Sequence, residues 1–311
     1  MIPFSLNELY RIVGVSKQAV YKQEIRMREI ALQTYELRWQ EDLIRESHPG
    51  CGLEKMYYQL HPKWIGRDRF MKLFTSLGYC LNAHKKFIKT TLPVPITYPN
   101  LIEGLLVFGV NTVWQSDITY YRIGEKMYYL VFIEDIYSRR ILGYRASDHM
   151  RAQANIQALT MAFQTRNCDL TGTIHHSDRG SQYIDQDYVR MLDERGILIS
   201  MGLRGQDNAY VERVNGIIKN EYLKYWSINS FNDLKLSLER AVNNYNSKRA
   251  HRSLPGRLSP IEFEKMLKEN PKSYKLNEWI YSDKLDINQK EYNFEEMDLK
   301  TKTLVCPIVE Y

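Results

Sequence analysis

The spacing of apolar residues changes near residue 110 and divides the chain into a helical part and a mixed α/β part. Before that point apolar residues recur every three or four positions, as Leu6, Leu9 and Ile12 do. This is the period of a helix with one buried face. After it, the chain contains short runs of β-branched and aromatic residues, which favour strands. The pattern predicts a small helical region followed by an α/β domain.

The first eighty residues show the outline of two helical hairpins. Gly14 breaks the first apolar run, and Ser16 is a favourable N-cap for a helix from Lys17 to about Arg28. A second pair follows Gly52, with Pro62 between its helices. A helix, a short turn and a capped helix are the outline of a helix-turn-helix, although an ordinary helical hairpin has the same pattern.

The second helix of the second pair is predicted to run from Gly66 to Phe74 with one apolar and one basic face. The predicted buried stripe consists of Phe70, Leu73, Phe74 and Leu77. Basic side chains on the exposed faces of both second helices could contact DNA phosphates. These candidate DNA-binding residues are Lys17, Lys22, Arg67, Arg69 and Lys72.

Three strands and an alternation of helices and strands are predicted after residue 110. The order βββαβαβα predicts a mixed five-stranded sheet with helices on its faces. The predicted strands are Val113–Tyr121, Lys126–Asp135, Arg140–Ser147, Gly172–His176 and Ile197–Met201. The predicted helices are Arg151 to about Arg166, Ile184–Arg195 and Asn208–Lys224, with further helices in 230–270.

The predicted domain organisation follows from these patterns. Residues 1–82 form the helical region, and 83–105, with three prolines, form an extended linker. Residues 106–265 form the α/β domain, and 266–311 form a tail whose role the sequence does not indicate.

The distribution of charge indicates that the protein binds an anionic partner. Hydrophobic residues make up 44% and charged residues 26%, which is typical of globular proteins. The first 100 residues carry 15 Lys/Arg against 9 Asp/Glu and contain all of the net charge of +6. Nucleic acid is the leading candidate partner for such a basic region.

The same composition predicts a cytosolic location. No stretch of the sequence has the roughly 18–20 uncharged apolar residues of a membrane span, and the N-terminus lacks the pattern of a secretory signal. The four cysteines are scattered without a C-x-x-C pair, so neither a zinc site nor a disulfide framework is expected.

Three acidic residues have the positions of a metal-dependent phosphoryl-transfer site. Asp117 lies within a predicted strand, Asp178 ends another, and Glu212 lies in the first turns of a helix. Mg²⁺ binds a few carboxylates together with substrate phosphate oxygens, and a pair of such ions supports in-line displacement at phosphorus. Taken singly, Asp178 could form an Asx-turn and Asp207 could cap the helix. Lys219, two helical turns after Glu212, could contact the DNA backbone beside the metal.

Five ordered motifs resemble the IS-three family of insertion-sequence transposases, in particular its OrfB subunit. They are WQSDITY, YLVFIEDIYSRRILGY, HHSDRGSQY, DNAYVERVNGIIKNEY and YNSKRAHRSLPGRLSPIEF, and the resemblance covers about residues 5–265. It implies an RNase H-like (retroviral integrase) fold and cut-and-join chemistry on DNA ends with Mg²⁺ or Mn²⁺. It assigns catalysis and metal binding to Asp117, Asp178 and Glu212, and Lys219 matches the family's basic residue.

The resemblance also implies partners and a location. They are double-stranded DNA (terminal inverted repeats and target), a homo-oligomer on that DNA, a possible upstream-frame subunit, and no membrane. The place of action would be the bacterial nucleoid.

One spacing departs from the family pattern and keeps an alternative open. Between Asp178 and Glu212 lie 33 residues, where the family pattern has about 35. The difference falls in 202–206, before the helix that carries Glu212. A catalytically impaired, transposase-derived DNA-binding protein is therefore the first alternative, and a nuclease on the same fold is the second.

Several other residues of these motifs are predicted to be structural. His175 and His176 are expected to pack in the sheet rather than bind metal, and Trp114 to lie in the core. Arg249 and His251 are expected to support the catalytic face, with DNA contact as the alternative.

Overall fold

The computed structural model describes residues 5–81, 98–107, 109–202 and 205–270, together with the backbone of 278–279. The chain divides into two units, Met1–Cys80 and Leu81–Tyr311. Among the described residues, no helix combines the length and the apolar character that a membrane crossing requires.

The described residues of the first unit form four helices. They are α1 (Leu6–Val13), α2 (Lys17–Ser47), α3 (Leu53–Leu60) and α4 (Arg67–Ser76). Ser16 caps α2 by accepting a hydrogen bond from the Ala19 N–H, as predicted. The predicted end of that helix near Arg28 is wrong, since it continues for nineteen more residues. The sequence from 29 to 47 contains no glycine or proline to end it.

The core of the first unit lies between α2, α3 and α4. Its buried side chains are Leu37, Cys51, Met56, Phe70 and Phe74. Phe70 and Phe74 confirm the predicted stripe of α4. Leu77 does not, because it is the C-cap of α4 and is 39% exposed.

The five predicted basic residues of this unit lie on its surface. Lys17, Lys22, Arg67, Arg69 and Lys72 are all exposed. Arg67 already pairs with Asp68, with Nε 2.8 Å from Oδ1.

The second unit is built on the predicted mixed sheet. Its strands are β1 (Leu106–Val107), β2 (Val113–Ile123), β3 (Lys126–Asp135), β4 (Arg140–Ser147), β5 (Ile174–Ser177), β6 (Leu198–Met201) and β7 (Glu278–Trp279). The five-stranded sheet has the order β4-β3-β2-β5-β6. The pairs within β4-β3-β2 are antiparallel, whereas β2-β5 and β5-β6 are parallel. Strands β1 and β7 form a separate antiparallel pair.

Helices cover both faces of the sheet. They are α5 (Ala152–Arg166), α6 (Gln186–Asp193), α7 (Ala209–Ile217), α8 (Phe231–Ser247) and α9 (Pro260–Glu269). Alternate residues of β3 enter two different cores. Val131 and Ile133 join Trp114 in the core beside α5 and α6, while Leu130 and Phe132 join the core beside α7 and α8. A sheet covered on both faces explains why β3 reads as a continuous apolar run.

The last part of the predicted linker belongs to the second unit. Ile102 is buried with Val107 and Val113. Pro99 accepts a hydrogen bond from the Met201 N–H. The predicted linker 83–105 is therefore wrong at its end, and its part from 83 to 97 lies outside the described residues.

Candidate active site

Two of the predicted acids lie on neighbouring strands, Asp117 within β2 and Asp178 directly after β5. Ser116 of β2 and Ser177 of β5 are paired in the parallel register. The residues that follow them are Asp117 and Asp178, so the two carboxyl groups start side by side. Asp117, Asp178 and the loop after β5 are half-buried. The two acids are 61 residues apart in sequence, and the pairing of β2 with β5 brings them next to each other.

Helix α7 brings the third acid because polar side chains of β2 hold its beginning. Gln115 Nε2 donates to the Asp207 carbonyl at 2.9 Å, and Gln115 Oε1 accepts from the Val211 N–H at 3.4 Å. Asn208 Nδ2 donates to the Ser116 carbonyl at 3.0 Å. We call these three bonds the α7 clamp. They fix the turn of helix that carries Glu212 against the strand that carries Asp117.

The cap predicted for this helix is different from the one found. Asn208, not Asp207, is the N-cap residue of α7. Asp207 lies in the 3-10 turn Gly205–Asn208 that precedes it. The Asp207 side chain instead accepts a bond of 3.4 Å from Asn100 Nδ2.

The three carboxyl groups influence one another electrostatically. Burial, and next the charges of Asp178 and Glu212, raise the pKa of Asp117 to about 8. Burial raises the pKa of Asp178. Burial and the neighbouring Asp178 charge raise the pKa of Glu212. Repulsion among close carboxylates is the environment that a bound cation relieves.

The side chains of Asp117, Asp178 and Glu212 have the type of ligand atom that a hard divalent cation binds. Within the described ranges no three His, Cys, Asp or Glu side chains form a group ready to hold a metal ion. A closed protein cage is not required for Mg²⁺, which takes one or two carboxylates and keeps places for water and substrate phosphate. Asp117, Asp178 and Glu212 offer carboxylate oxygens only, which are the ligands that Mg²⁺ and Mn²⁺ prefer.

Two residues of the α7 segment contact the strand beside the acids. Asn215 Nδ2 donates to Asp117 Oδ2 at 2.6 Å. Lys219 Nζ donates to Thr119 Oγ1 at 2.6 Å. Asp117 and Thr119 are two residues apart on a strand, a rise of about 6.6 Å, and Asn215 and Lys219 are four residues apart on a helix, a rise of about 6 Å. Because the two rises are similar, the helix can make both contacts with the strand. Asn215 therefore orients the Asp117 carboxylate.

The helix predicted over 208–224 changes its winding after Ile217. α7 ends at Ile217, and a π-helical turn (Ile218–Tyr222) and a 3-10 turn (Leu223–Tyr225) follow. Ile218, Tyr222 and Leu223 are all buried in the same core. Their spacings of four and five residues match the wider π turn, which often occurs at functional sites.

The structure places Lys219 beside the acids rather than on a solvated face. Burial lowers the pKa of Lys219, and the Asp117 charge opposes that effect. Glu221, in the same π-helical turn, accepts two hydrogen bonds from Arg249, at 2.9 and 3.0 Å.

Replacing Lys219 with Ala is expected to weaken the joining of DNA ends. The ammonium group is a point charge next to the acids, where it would position a phosphate rather than read bases. The slope of log K against log salt should fall by about one unit. Joining assays across a salt series measure both effects, with the exposed Lys265→Ala as the matched control. Wild-type joining with an unchanged slope would contradict this assignment.

The neighbouring histidines are structural, as predicted. His175 Nε2 lies 2.9 Å from the Tyr188 hydroxyl, and His176 Nδ1 lies 2.8 Å from Ser200 Oγ. Burial lowers their pKa values to about 3 and about 4, so both rings are neutral. The Asx-type bond considered for Asp178 is also present, from the Gly180 N–H at 3.0 Å. That bond leaves the other carboxylate oxygen of Asp178 for a ligand.

The C-terminal motif supports the sheet. Asn246 Oδ1 accepts from the Ile141 N–H at 3.0 Å, and its Nδ2 donates to the Ile141 carbonyl at 2.9 Å. Arg249 and His251 are buried. The structural role predicted for these residues is therefore confirmed.

Sequence reasoning did not assign roles to Gln115, Asn208 and Asn215. All three lie within the motifs quoted above. Their positions could have indicated a role. Each is a polar residue in a strand interior or on a helix face that packs against the sheet, and a buried polar side chain needs a hydrogen-bond partner.

Comparisons with known proteins identify integrase core domains and transposases as similar to this chain. Two family models described as integrase core domain match residues 109–206 and 195–260. The chain is 33% identical over 229 residues to a putative transposase for insertion sequence element IS986/IS6110 of Mycobacterium tuberculosis, covering 68% of this chain and 81% of the relative. It is 33% identical over 174 residues to transposase InsF for insertion sequence IS3A of Escherichia coli K12, covering 55% and 60%.

A solved structure of the HTLV-2 integrase catalytic core domain in complex with magnesium is also similar. It has a TM-score of 0.41 and 20% sequence identity, over 53% of this chain and 98% of that one.

The five-stranded sheet and the matched integrase core domain define the class: an integrase-type α/β enzyme of the DDE kind. Within that class, the chain belongs to the insertion-sequence transposases, since it is 33% identical to the IS986/IS6110 relative over 229 residues that cover 81% of that relative.

Proposed function

We propose that this protein cuts and joins the ends of an insertion sequence by divalent-metal-dependent phosphoryl transfer. The observation that supports the proposal is the placement of Asp117 on β2, Asp178 after β5 and Glu212 on α7, where burial and then the charges of Asp178 and Glu212 raise the pKa of Asp117. Asp117, Asp178 and Glu212 would hold Mg²⁺ or Mn²⁺. When bound, such ions activate a water or a 3′-hydroxyl and stabilise the leaving oxygen.

The remaining site residues act on these acids and on DNA. Asn215 restrains the Asp117 carboxylate, and the α7 clamp fixes the distance between the Asp117 strand and the Glu212 helix. Lys219 supplies a positive charge beside the acids for a DNA phosphate. Positioning of this kind is a main source of rate enhancement in phosphoryl transfer.

The first unit is proposed to bind terminal inverted repeats through its exposed basic residues, and the whole protein to act as a homo-oligomer on DNA in the bacterial nucleoid. An upstream-frame subunit is a further proposed partner. The helix-turn-helix character of this unit remains a prediction, since α2 is far longer than the recognition helix expected from the sequence.

An end-cleavage assay tests the proposal. Linear duplexes that carry the terminal repeats of the protein's own element are incubated with the full chain and Mg²⁺. We expect nicks at the repeat ends and joined products in the presence of the ion. End binding without cleavage would instead support an impaired DNA-binding protein, the alternative raised by the spacing of 33 residues. Faster cleavage of RNA–DNA hybrids would support a nuclease.

The basic residues of α4 are expected to contribute to the salt dependence of DNA binding. Each phosphate neutralised contributes about −0.9 to the slope of log K against log salt. Replacing Arg67, Arg69 and Lys72 together with Ala should therefore reduce the slope by about two to three units. Fluorescence anisotropy across a salt series measures it, with Arg190→Ala, an exposed arginine of α6, as control. An unchanged slope would exclude α4 from the DNA interface.

A further inference from the structure

Helix α2 carries a line of exposed apolar side chains that we call the α2 seam. The line runs through positions 21, 25, 28, 32, 35 and 39, and position 28 is an arginine. These positions are separated by alternating steps of four and three residues, which is the spacing of a coiled-coil contact line. From its first to its last member the seam is about 27 Å long. Its apolar residues and their exposed fractions are Tyr21 64%, Ile25 40%, Leu32 62%, Tyr35 70% and Trp39 63%.

The first unit leaves most of α2 without a covering layer. Of its 31 residues, only Leu37 and Glu41 are buried, and none from 17 to 36 is. Leu37 packs with α3 and α4, on the side of the helix away from the seam. Helical stability in water comes mostly from packing an apolar face. A helix of this length with an exposed seam is therefore expected to pack against another surface.

We propose that the α2 seam is a self-association surface, on which α2 of a second copy of this chain packs in antiparallel orientation. A register centred on residue 30 places seam residues in layers. In it, Tyr21 faces Trp39 of the second copy, and Ile25 faces Tyr35 of the second copy. Arg28, which already pairs with Glu24 at 2.9 Å, lies beside Leu32 of the second copy.

The charges that flank the seam select the antiparallel orientation. In this register Lys22 lies near Glu36 of the second copy, and Glu24 lies near Arg38 of the second copy. Each of these attractive pairs occurs twice by symmetry. One pair of like charges also forms in this register, between Glu29 and Glu29 of the second copy at the twofold axis.

A parallel arrangement would bring like charges together instead. Flanking residues five apart then face each other, which pairs Lys17 with Lys22 of the second copy and Glu24 with Glu29 of the second copy. Both repulsions would occur twice. The proposal also gives Lys22 a partner other than the DNA phosphate expected from the sequence.

Sedimentation equilibrium of the full chain, without DNA or divalent metal, tests the proposal. We expect a reversible dimer, and Tyr35→Glu should raise its Kd about tenfold or more, because it sets a carboxylate against the apolar Ile25 of the second copy at two symmetric places. Met27→Glu is the matched control, since Met27 is 58% exposed on the same helix but lies off the seam. It should leave the dimer unchanged, and circular dichroism checks that both variants fold.

Charge exchange tests the orientation. Lys22→Glu should weaken the dimer by repulsion from Glu36, and Lys22→Glu with Glu36→Lys should restore it. In a parallel dimer Lys22→Glu would instead tighten association by relieving the repulsion with Lys17. A monomeric wild-type chain, a dimer insensitive to Tyr35→Glu, or a dimer tightened by Lys22→Glu would each overturn the proposal. None of these outcomes depends on the cleavage chemistry.

Discussion

Asp117→Asn is expected to reduce the rate of end cleavage and joining about a thousandfold or more. The change keeps the size of the side chain but removes a carboxylate charge from the site, and a loss of about 4 kcal/mol of transition-state stabilisation corresponds to that factor. Asp178→Asn and Glu212→Gln should have effects of the same order. Single-turnover assays on labelled repeat ends measure the chemical step apart from DNA binding.

Two controls separate this loss from damage to the fold. Asp187→Asn makes the same chemical change at an exposed acid of α6, which pairs with Arg190 at 2.8 Å, and should leave the rate close to the wild type. End binding by all three site variants should remain near the wild-type level. If one variant joins ends at a near-normal rate, its residue is not part of the catalytic site.

Among the described glycines of the second unit, Gly143 is the one whose replacement with Ala is expected to be most destabilising. Gly143 lies in β4 where α5 crosses the strand, and an added Cβ would overlap the Ala158 carbonyl oxygen and lie 2.9 Å from its carbonyl carbon. Because these are backbone atoms of a buried helix, they cannot rotate away. A loss of about 3 kcal/mol or more in the free energy of unfolding follows, at the upper end of overpacking effects.

Urea unfolding of the full chain, followed by the circular dichroism signal, measures this loss. Gly109→Ala is the matched control, since nothing lies within 4 Å of the added Cβ and its backbone angle is ordinary. It should change the stability by less than about 1 kcal/mol. A Gly143→Ala chain as stable as wild type would mean that α5 and β4 are less tightly packed than the structure shows.

The sheet could be predicted closely because its signals are local. Lys126–Asp135 and Arg140–Ser147 have the predicted bounds, since the turn residues at both ends are explicit in the sequence. The end of α2 could not be predicted from the Ser16 cap alone. The apolar and polar pattern from 29 to 47 serves two surfaces, the small core of the first unit and the exposed seam.

The three acids of the candidate site can be selected from the sequence, but the residues that support them cannot. Asp117 stands out because carboxylates are rare in strand interiors. The Gln115 contact with the Asp207 carbonyl joins residues 92 apart in sequence. The Lys219 contact with Thr119 spans 100. Bonds of this kind depend on how α7 is placed on β2, which no local pattern specifies.

Isothermal titration of the full chain with Mg²⁺ tests the central claim most directly. With its pKa raised to about 8, Asp117 is mostly protonated at pH 7, and a metal ion needs the carboxylate form. Binding at pH 7 should therefore release close to one proton, seen as a dependence of the heat on the buffer. At pH 9.5 the release should nearly vanish, and Asp117→Asn should lose the binding at both pH values. Binding of Mg²⁺ that Asp117→Asn leaves unchanged, or no binding by the wild-type chain, would contradict a metal site at these three acids.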